Sequence, residues 1–397
     1  MEPLLLCAAG ILVVGLIWVL LCTRALAIEE KEFLTKCLNT LRGSRRAVVV
    51  VTGATSGIGE KLCELLAGEC NAHVYLGYRS LDRGLASQAR ILARYPRAQV
   101  SLLPCNVTDA ASVRAAARAL RGSHECIDFL VNNAGVMPVD RLRWGSIVRA
   151  VLCCRLGSFL ETGRPGAGTP HFMEGGASGS QLDTHVLGHL LLLQELLPVL
   201  HKGRSRVVWS ASRAAEGGAV DWAHLAAQGG LALGPPSPPL FSLPKEAYAE
   251  AKTVQELVSR QVKARMGITS VCVCPGFVET PIAPPFFAAM SPLFRHARAL
   301  APSMTLDLER GCTAHIGAMV APERSLDPVG KYVLRGGGIA MAKEGVVAQG
   351  MEEEAWAVCQ GWLSRGQWAT KERKGGASSV RKSDLHPPRR RHSTTKN

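Results

Sequence analysis

A short apolar run that ends in glycines constrains the fold of this chain more than any other feature. The run AVVVVT, residues 47–52, is β-branched and shows no polar alternation, which is typical of a strand buried on both faces. It leads directly into GATSGIG, residues 53–59, and a helix is expected to begin near Ile58. Glycine allows a tight turn and lets the backbone approach a phosphate group at the helix N-terminus. The segment therefore predicts a dinucleotide-binding turn.

Strand and helix patterns alternate along the rest of the chain. Such alternation is typical of βαβ units and predicts an α/β fold with a Rossmann-like, doubly wound parallel sheet. Two stretches rich in glycine and proline, about 139–180 and 214–245, are predicted to be insertions on the rim of the sheet. The predicted strands are 47–52, 73–78, 99–104, 127–132, 206–211, 269–274 and 330–336, and the predicted helices are 58–67, 82–94, 109–120, 181–200 and 246–265.

The N-terminal residues predict a membrane anchor. Residues 3–22 carry no charge, and a helix of about 20 residues matches the hydrocarbon core of a bilayer, about 30 Å thick. A cleaved signal peptide is the competing interpretation, because Ala25-Leu26-Ala27 fits a cleavage site, but no basic residue precedes the run. Basic residues follow it, which favours a cytosolic body. We expect an anchor at 1–24, a linker at 25–46 and a catalytic domain at 47–370.

The basic balance of the chain is concentrated at its C-terminal end. The formal net charge is +14, and residues 371–397 hold nine Lys and Arg against two acidic residues. This tail has no apolar periodicity and is predicted to be disordered. It either contacts anionic lipid headgroups or is simply solvated. Because no structured basic face with aromatic residues is evident, a nucleic-acid partner is not expected.

The cysteines indicate buried thiols. The thirteen cysteines are odd in number, lie in apolar runs such as VCVCPG and show no paired Cys-x-x-Cys spacing. Neither a zinc site nor a secreted disulfide framework is therefore expected. We predict reduced, mostly buried side chains and no metal site.

The end of the second predicted strand indicates which cofactor is bound. A carboxylate at this position would bind the ribose hydroxyl of NAD, but Arg79 stands there instead. A guanidinium suits a 2′-phosphate, so the predicted cofactor is NADPH. The glycine-rich turn supplies the phosphate-binding candidates, which are Gly53, Ser56, Gly57, Ile58 and Gly59.

A tyrosine and a lysine lie on one turn of a predicted helix. The segment KEAYAEAK, residues 245–252, places Tyr248 and Lys252 four residues apart, on the same helical face. A free phenol, with a pKa of about 10, is a poor acid–base catalyst at neutral pH, and a neighbouring ammonium stabilises its phenolate. The spacing alone often arises by chance, so it gains meaning only beside other motifs.

Five motifs follow one another in the order typical of a known family. They are GATSGIG at 53–59, NNAG at 132–135, the serine-bearing strand VVWSAS at 207–212, Tyr248 with Lys252, and CPG at 274–276. From about Ala47 to the 330s the chain resembles the short-chain dehydrogenase/reductase family. The resemblance implies that Tyr248 donates a proton, and that Lys252 holds the nicotinamide ribose and lowers the tyrosine pKa. Ser212 would bind the substrate carbonyl, while Ser210 would pack beside the strand.

The resemblance also implies further cofactor contacts and shows two departures. The family usually has asparagine at the position of His185 and aspartate at the position of Asn106. His185 either relays protons or fills space, and both interpretations stay open. The remaining cofactor-binding candidates are Asn106, Val107, Asn133, Ala134, Gly135, Tyr248, Lys252, Pro275 and Gly276.

Less common segments narrow the expected substrate. NAGVMP, THVLGH, WSASR, PKEAYAEAK and DPVGKYV are similar to family members that reduce sterol 3-ketones with NADPH at the endoplasmic reticulum membrane. We expect this reaction, a lipophilic sterol substrate and that membrane; a homo-oligomer or a complex with other sterol enzymes is left open. The alternatives are a membrane-bound reductase of retinoids or other lipid carbonyls, and a non-catalytic membrane scaffold of the same fold.

Overall fold

The structure is a computed structural model, and a defined part of the chain is described. The described residues are 25, 28–43, 45–136, 141–142, 160–161, 181–212, 215, 220, 222, 225–226, 247–276, 278, 280, 307–323, 331–335, 338–341 and 351–368.

A twisted eight-stranded sheet forms the centre of the described part, with strand order β10-β9-β8-β7-β4-β1-β2-β3. Seven of these strands are parallel, and β10 pairs with β9 in the antiparallel direction. A separate two-stranded pair joins β5 and β6. The strands are β1 Val48–Val51, β2 His73–Tyr78, β3 Gln99–Pro104, β4 Phe129–Asn132, β5 Arg141–Leu142, β6 Leu160–Glu161, β7 Arg206–Ser210, β8 Thr269–Cys274, β9 Lys331–Arg335 and β10 Gly338–Met341.

Helices cover both faces of the sheet. On one face α4, α5, α6 and α9 pack with Trp209 and its neighbours in one core. On the other face α1, α2, α3 and α8 bury a second core around Leu62 and Leu66. The helices are α1 28–41, α2 Gly57–Gly68, α3 Leu81–Arg94, α4 Ala110–Ser123, α5 Gly188–Leu196 (after a π-helical turn, Asp183–Leu187), α6 Ala247–Met266, α7 Leu308–Gly311, α8 Thr313–Val320 and α9 Met351–Leu363.

This architecture confirms the predicted Rossmann-like parallel sheet. The buried strands are rich in valine and leucine, as expected where helices cover both faces. Each predicted strand and helix that the structure describes lies within a few residues of its observed bounds. The antiparallel β10 and the helices α7 to α9 were not predicted.

The second predicted insertion does not lie wholly on the rim. Within 214–245, Trp222 and Leu225 are buried in the same core as Trp209. The carbonyl oxygen of Leu225 accepts a hydrogen bond from Nε1 of Trp362, at 2.9 Å. This part of the insertion therefore contributes to the core, because its apolar side chains pack under α9.

The segment expected to link an anchor to the body contains a helix instead. Helix α1 occupies residues 28–41, and Leu34 and Cys37 are buried against the second core. The carboxylate of Glu30 forms a buried ion pair with the guanidinium of Arg310 in α7. The segment is thus packed on the catalytic body, because its apolar face and one carboxylate both find partners there.

Two predicted segments at the ends of the chain are not among the described residues. The predicted anchor at 1–24 and the predicted tail at 371–397 both lie outside the described residues. Among the described residues, no helix is both long enough and apolar enough to cross a bilayer.

Nine cysteines fall in the described part of the chain, and all are buried free thiols. This confirms the predicted burial for those positions. Burial raises the pKa of Cys37 to about 11 and that of Cys105 to about 12, so these thiols stay protonated and unreactive at neutral pH.

We expect the Glu30–Arg310 pair to hold α1 on the body. Replacing Glu30→Ala leaves a buried guanidinium without its carboxylate and should lower the free energy of unfolding by about 3–5 kcal/mol. The matched change Glu32→Ala, at an exposed position of the same helix, should alter it by less than about 0.5 kcal/mol. Urea denaturation followed by circular dichroism measures both, and equal losses for the two variants would contradict this role of the pair.

Candidate active site

The glycine-rich turn packs against the loop that follows β4. Gly53 and Gly57 have positive φ angles of 63° and 58°, a backbone region that favours glycine. A Cβ atom at Gly59 would lie 2.4 Å from the carbonyl oxygen of Gly53 and 2.4 Å from Nδ2 of Asn133. Glycine at 59 therefore permits a contact that any side chain would prevent.

The first turn of α2 has the chemistry of an anion site. Within the described part of the chain, the side chain of the N-cap residue Ser56 makes no capping hydrogen bond. The backbone N–H groups at a helix N-terminus, together with the helix dipole, attract phosphate groups. This turn, formed by Gly57, Ile58 and Gly59, lies between β1 and β4, where the strand order reverses. Ligands of doubly wound sheets bind at such a position, so the residues fit a dinucleotide.

One buried hydroxyl connects the ends of β1 and β4. Oγ1 of Thr52 accepts hydrogen bonds from the backbone N–H groups of Asn133, at 2.9 Å, and Ala134, at 3.0 Å. Nδ2 of Asn133 donates to the carbonyl oxygens of Thr52 and Gly53, at 3.0 and 3.3 Å. The same Thr52 hydroxyl lies 2.8 Å from Nε2 of His189. These contacts fix the NNAG loop beside the glycine-rich turn.

The four predicted catalytic side chains are brought together. Ser212 hydrogen-bonds the hydroxyl of Tyr248, and Nζ of Lys252 lies 5.7 Å from the centroid of the Tyr248 ring. The imidazole of His185 meets the same ring edge-on, with the centroids 5.3 Å apart. Residues from the loop after β7, from α6 and from the π-helical turn thus converge at the edge where the parallel strands end, which we call the carboxyl edge.

The lysine is held from two sides. Its ammonium donates to the backbone carbonyl oxygen of Ser210 at 2.5 Å and to Oε1 of Gln255 at 3.0 Å. Burial lowers the pKa of Lys252 to about 8. The side chain is therefore mostly charged at neutral pH and loses its charge in mildly alkaline solution.

The phenol differs from the expectation. Tyr248 is partly exposed. Desolvation of its phenol raises the pKa of Tyr248 to about 12, although the hydrogen bond with Ser212 lowers it. The resemblance implied a pKa lowered by Lys252. Here the pKa is raised instead, with desolvation as the largest cause, so Tyr248 keeps its proton at neutral pH.

His185 is a neutral, buried imidazole. Its Nε2 lies 2.9 Å from the carbonyl oxygen of Val136 and donates to it. Burial, together with the charge of Lys252, holds the pKa of His185 well below its usual range. Among the residues described, its buried Nδ1 has no hydrogen-bond partner. His185 thus offers an acceptor nitrogen near Tyr248, and both earlier interpretations of its role stay predictions.

Ser210 also forms hydrogen bonds that were not predicted. Its backbone carbonyl oxygen accepts a hydrogen bond from Lys252, and its hydroxyl contacts two further side chains. Oγ of Ser210 donates to Oδ1 of Asn133, at 3.2 Å, and lies 2.8 Å from Nε2 of His315 in α8. A continuous polar path therefore leads from Lys252 through Ser210 to the NNAG loop.

The other predicted cofactor residues also lie at the carboxyl edge. Arg79 is exposed and directly follows β2. Oδ1 of Asn106 accepts from the backbone N–H of Thr108 at 3.3 Å and from its hydroxyl at 3.0 Å, so this asparagine stabilises its own turn. Val107 is buried against Gly188, where a Cβ atom would lie 1.8 Å from the Val107 carbonyl oxygen.

Two glycines shape the remaining loops. A Cβ atom at Gly135 would lie 2.7 Å from Cε1 of His185, so a larger residue would displace the imidazole. Gly276 has a positive φ of 80° in the loop after β8, directly following Pro275. Both positions therefore support the backbone course of the predicted cofactor loops.

Several site residues were not predicted. Gln255 lies one helical turn from Lys252, and His189 lies one turn from His185, so helical spacing could have indicated both. Thr52 directly precedes the glycine-rich turn and could have been included with it. No sequence signal indicates His315, because it comes from α8, 105 residues after Ser210 in the chain.

Comparisons with known proteins identify the family to which the chain belongs. The model of the short chain dehydrogenase family matches residues 47–152. The 3-keto-steroid reductase/17-beta-hydroxysteroid dehydrogenase 7 of Homo sapiens is 28% identical over 302 residues, which cover 72% of this chain and 84% of that protein. The polyprenol dehydrogenase of Mus musculus is 30% identical over 344 residues, covering 79% and 85%.

A solved structure shows the same fold. The L-sorbose reductase of Gluconobacter frateurii, determined with NADPH and L-sorbose, superposes with a TM-score of 0.51 at 18% identity and covers 78% of this chain and 99% of its own. The chain belongs to the short-chain dehydrogenase family. It is an oxidoreductase of this family, related to 3-keto-steroid reductase.

Proposed function

We propose that this protein reduces the 3-ketone of a sterol to the 3-hydroxyl with NADPH at the endoplasmic reticulum membrane. The observation that carries the reductase assignment is the assembly of Ser212, Tyr248 and Lys252 beside the glycine-rich turn. A non-catalytic scaffold would have no need to keep all three groups in contact. The sterol assignment is supported by the similarity to 3-keto-steroid reductase.

The protein's own groups account for the proton. Because burial raises the pKa of Tyr248 to about 12, its phenol is protonated at neutral pH and can donate to a carbonyl oxygen. Ser212, already hydrogen-bonded to Tyr248, orients the same oxygen. When bound, NADPH supplies the hydride for the carbonyl carbon.

After the proton is transferred, Tyr248 is left as a negatively charged phenolate, and Lys252 is the group that stabilises it. Its ammonium, fixed by Ser210 and Gln255, stabilises the phenolate of Tyr248 through their proximity. The same ammonium is the proposed contact to the nicotinamide ribose. His185, with an acceptor nitrogen in the same buried region, is the proposed route by which protons return.

The cofactor would lie along the carboxyl edge. Its phosphates fit the first turn of α2, and the exposed guanidinium of Arg79 would pair with the 2′-phosphate. The loops at Asn106–Val107, Asn133–Gly135 and Pro275–Gly276 would border the adenine and nicotinamide parts. The assignment of NADPH rather than NADH rests on Arg79.

The membrane placement follows from the sequence. Residues 3–22 are uncharged and long enough to span a bilayer, and basic residues follow them. We propose an anchor there, with the body in the cytosol and the basic tail at 371–397 outside the catalytic domain. A sterol ketone dissolves in the bilayer, so an anchored enzyme meets it at high local concentration.

A second candidate is the interconversion of a long isoprenoid alcohol and its carbonyl form. The polyprenol dehydrogenase of Mus musculus has the higher identity, 30%, and the longer matched region. The chemistry at Tyr248 is the same for both substrates. A substrate panel therefore decides between them.

The proposed reaction is tested by turnover with the full chain in phospholipid vesicles. We expect NADPH oxidation with a 4-methyl sterol 3-ketone, and Tyr248→Phe should lower kcat at least about a hundredfold, the contribution of a general acid. The control Tyr95→Phe, at the end of α3, should leave kcat within about twofold. Turnover of polyprenal or retinal but not of the sterol ketone would transfer the assignment to those lipids, and normal turnover by Tyr248→Phe would overturn the site.

The pKa of Lys252 predicts a pH profile. Burial lowers this pKa to about 8, so the ammonium is present below pH 8 and is lost as the pH rises through that value. We expect kcat/KM for NADPH to fall above about pH 8. The variant Lys252→Arg keeps its charge and should be slower but show no decline up to about pH 10. An unchanged decline in that variant would assign it to another group.

Arg79 predicts the cofactor preference. The change Arg79→Asp should raise the Kd for NADPH about ten- to hundredfold, the scale of a charge-assisted contact, and should favour NADH in relative terms. The control Arg83→Asp, at an exposed position in the first turn of α3, should change the preference much less. Equal losses for NADPH and NADH would show that Arg79 does not contact the 2′-phosphate.

A further inference from the structure

Helix α1 begins at the carboxyl edge of the sheet. Glu30, in its first turn, pairs with Arg310 of α7. Two residues after Arg310, Sγ of Cys312 donates a hydrogen bond to the carbonyl oxygen of Ile58, at 3.7 Å. Ile58 lies in the first turn of α2, directly after β1, and therefore at the carboxyl edge. The start of α1 is thus placed beside the end of the sheet that carries the site.

The other end of α1 lies at the opposite edge. Nε of Arg42 donates to the carbonyl oxygen of Glu69 at 2.6 Å, and Sγ of Cys70 donates to that of Leu38 at 3.5 Å. Glu69 is the C-cap of α2, so it lies near the amino edge of the sheet. Helix α1 therefore runs along α2 from the carboxyl edge to the amino edge, and its first residue, Ile28, lies at the edge that carries the site.

Exposed apolar side chains occur at the same edge. In the described part of the chain, four large apolar side chains are exposed. Ile28 begins α1, Val136 follows β4, and Leu81 and Leu85 lie in the first two turns of α3, after β2. Leu81 and Leu85 are 52% and 47% exposed. Each of the four is placed at the carboxyl edge by the element that carries it. We call these residues the apolar rim.

We propose that the apolar rim rests on the surface of the lipid bilayer, so that the active-site edge faces the membrane. This proposal rests on the membrane anchor of the proposed function. The uncharged run of the predicted anchor ends at Cys22, six residues before Ile28, and six extended residues span at most about 20 Å. A span anchored so close keeps Ile28 near the headgroups, and the other three residues of the rim lie at the same edge of the sheet as Ile28.

The orientation has a consequence for substrate access. Ser212 and Tyr248 lie at the same edge as the rim, so a ketone dissolved in the bilayer can reach them without first entering bulk water. Burying the rim in the headgroup region also removes apolar surface from water, at about 25 cal/mol per Å². The rim side chains and the short tether thus both favour contact between the carboxyl edge and the membrane.

Lipid contact can be tested without catalysis. The full chain is placed in vesicles of phosphatidylcholine with phosphatidylserine, carrying photoreactive benzoylphenylalanine in place of Leu85 or, as the matched control, of Ala93. Ala93 is exposed and lies two turns further along the same helix. After illumination, mass spectrometry should find phospholipid adducts at position 85 at least about fivefold more often than at 93. Equal yields, no lipid adduct, or a covalent dimer at position 85 would overturn the proposal.

A kinetic test uses the same helix face. The double variant Leu81→Asp/Leu85→Asp should raise KM for a vesicle-dissolved ketone about three- to tenfold, while kcat/KM for a small water-soluble ketone stays within about twofold. The control Ala89→Asp/Ala93→Asp adds the same charges with the same spacing and should change neither value. If the unaltered protein reduces none of the ketones, the proposed reaction is wrong. The membrane contact is then still decided by the lipid adducts, which are measured without catalysis.

Discussion

The hydroxyl of Thr52 is the contact on which the geometry of this site depends. It accepts from two successive backbone N–H groups of the NNAG loop, and it stands where the order of the parallel strands reverses. Because Asn133 in turn donates to the carbonyl oxygens of the glycine-rich turn, the two loops form one unit. A dinucleotide site needs such a fixed pair of loops, since its backbone groups do the binding.

From this unit a buried polar path extends to Lys252, the lysine with a proposed catalytic role. Asn133 leads to Ser210, and the carbonyl oxygen of Ser210 accepts from Lys252. Two further imidazoles, His189 and His315, complete the hydrogen bonds, and burial lowers their pKa to about 3 and about 4. They are therefore neutral at neutral pH and add no charge beside Lys252. Buried polar groups of this kind hold one geometry because leaving any of them unpaired is costly.

The carboxyl edge of the sheet carries both the reacting groups and the first residue of α1. The proposed catalytic groups, the exposed guanidinium of Arg79 and the start of α1 all lie where the parallel strands end. The buried Glu30–Arg310 pair makes α1 a part of the body, so the direction of α1 relative to the sheet is fixed. For an enzyme of lipid ketones, this arrangement would bring the reacting groups toward the phase that holds the substrate.

The sequence by itself determined the sheet, the glycine-rich turn and the Tyr248–Lys252 pair, because strand burial, tight turning and helical spacing are local properties. It also indicated Ser212 and His185 through the family resemblance, and Arg79 through its position at the end of the second strand. Only the tertiary structure decided the role of Ser210, the contribution of His315 from a distant helix, and the packing of α1, which depends on a carboxylate and a guanidinium 280 residues apart. It also decided the raised pKa of Tyr248, because desolvation depends on everything that surrounds the phenol and no local pattern records it.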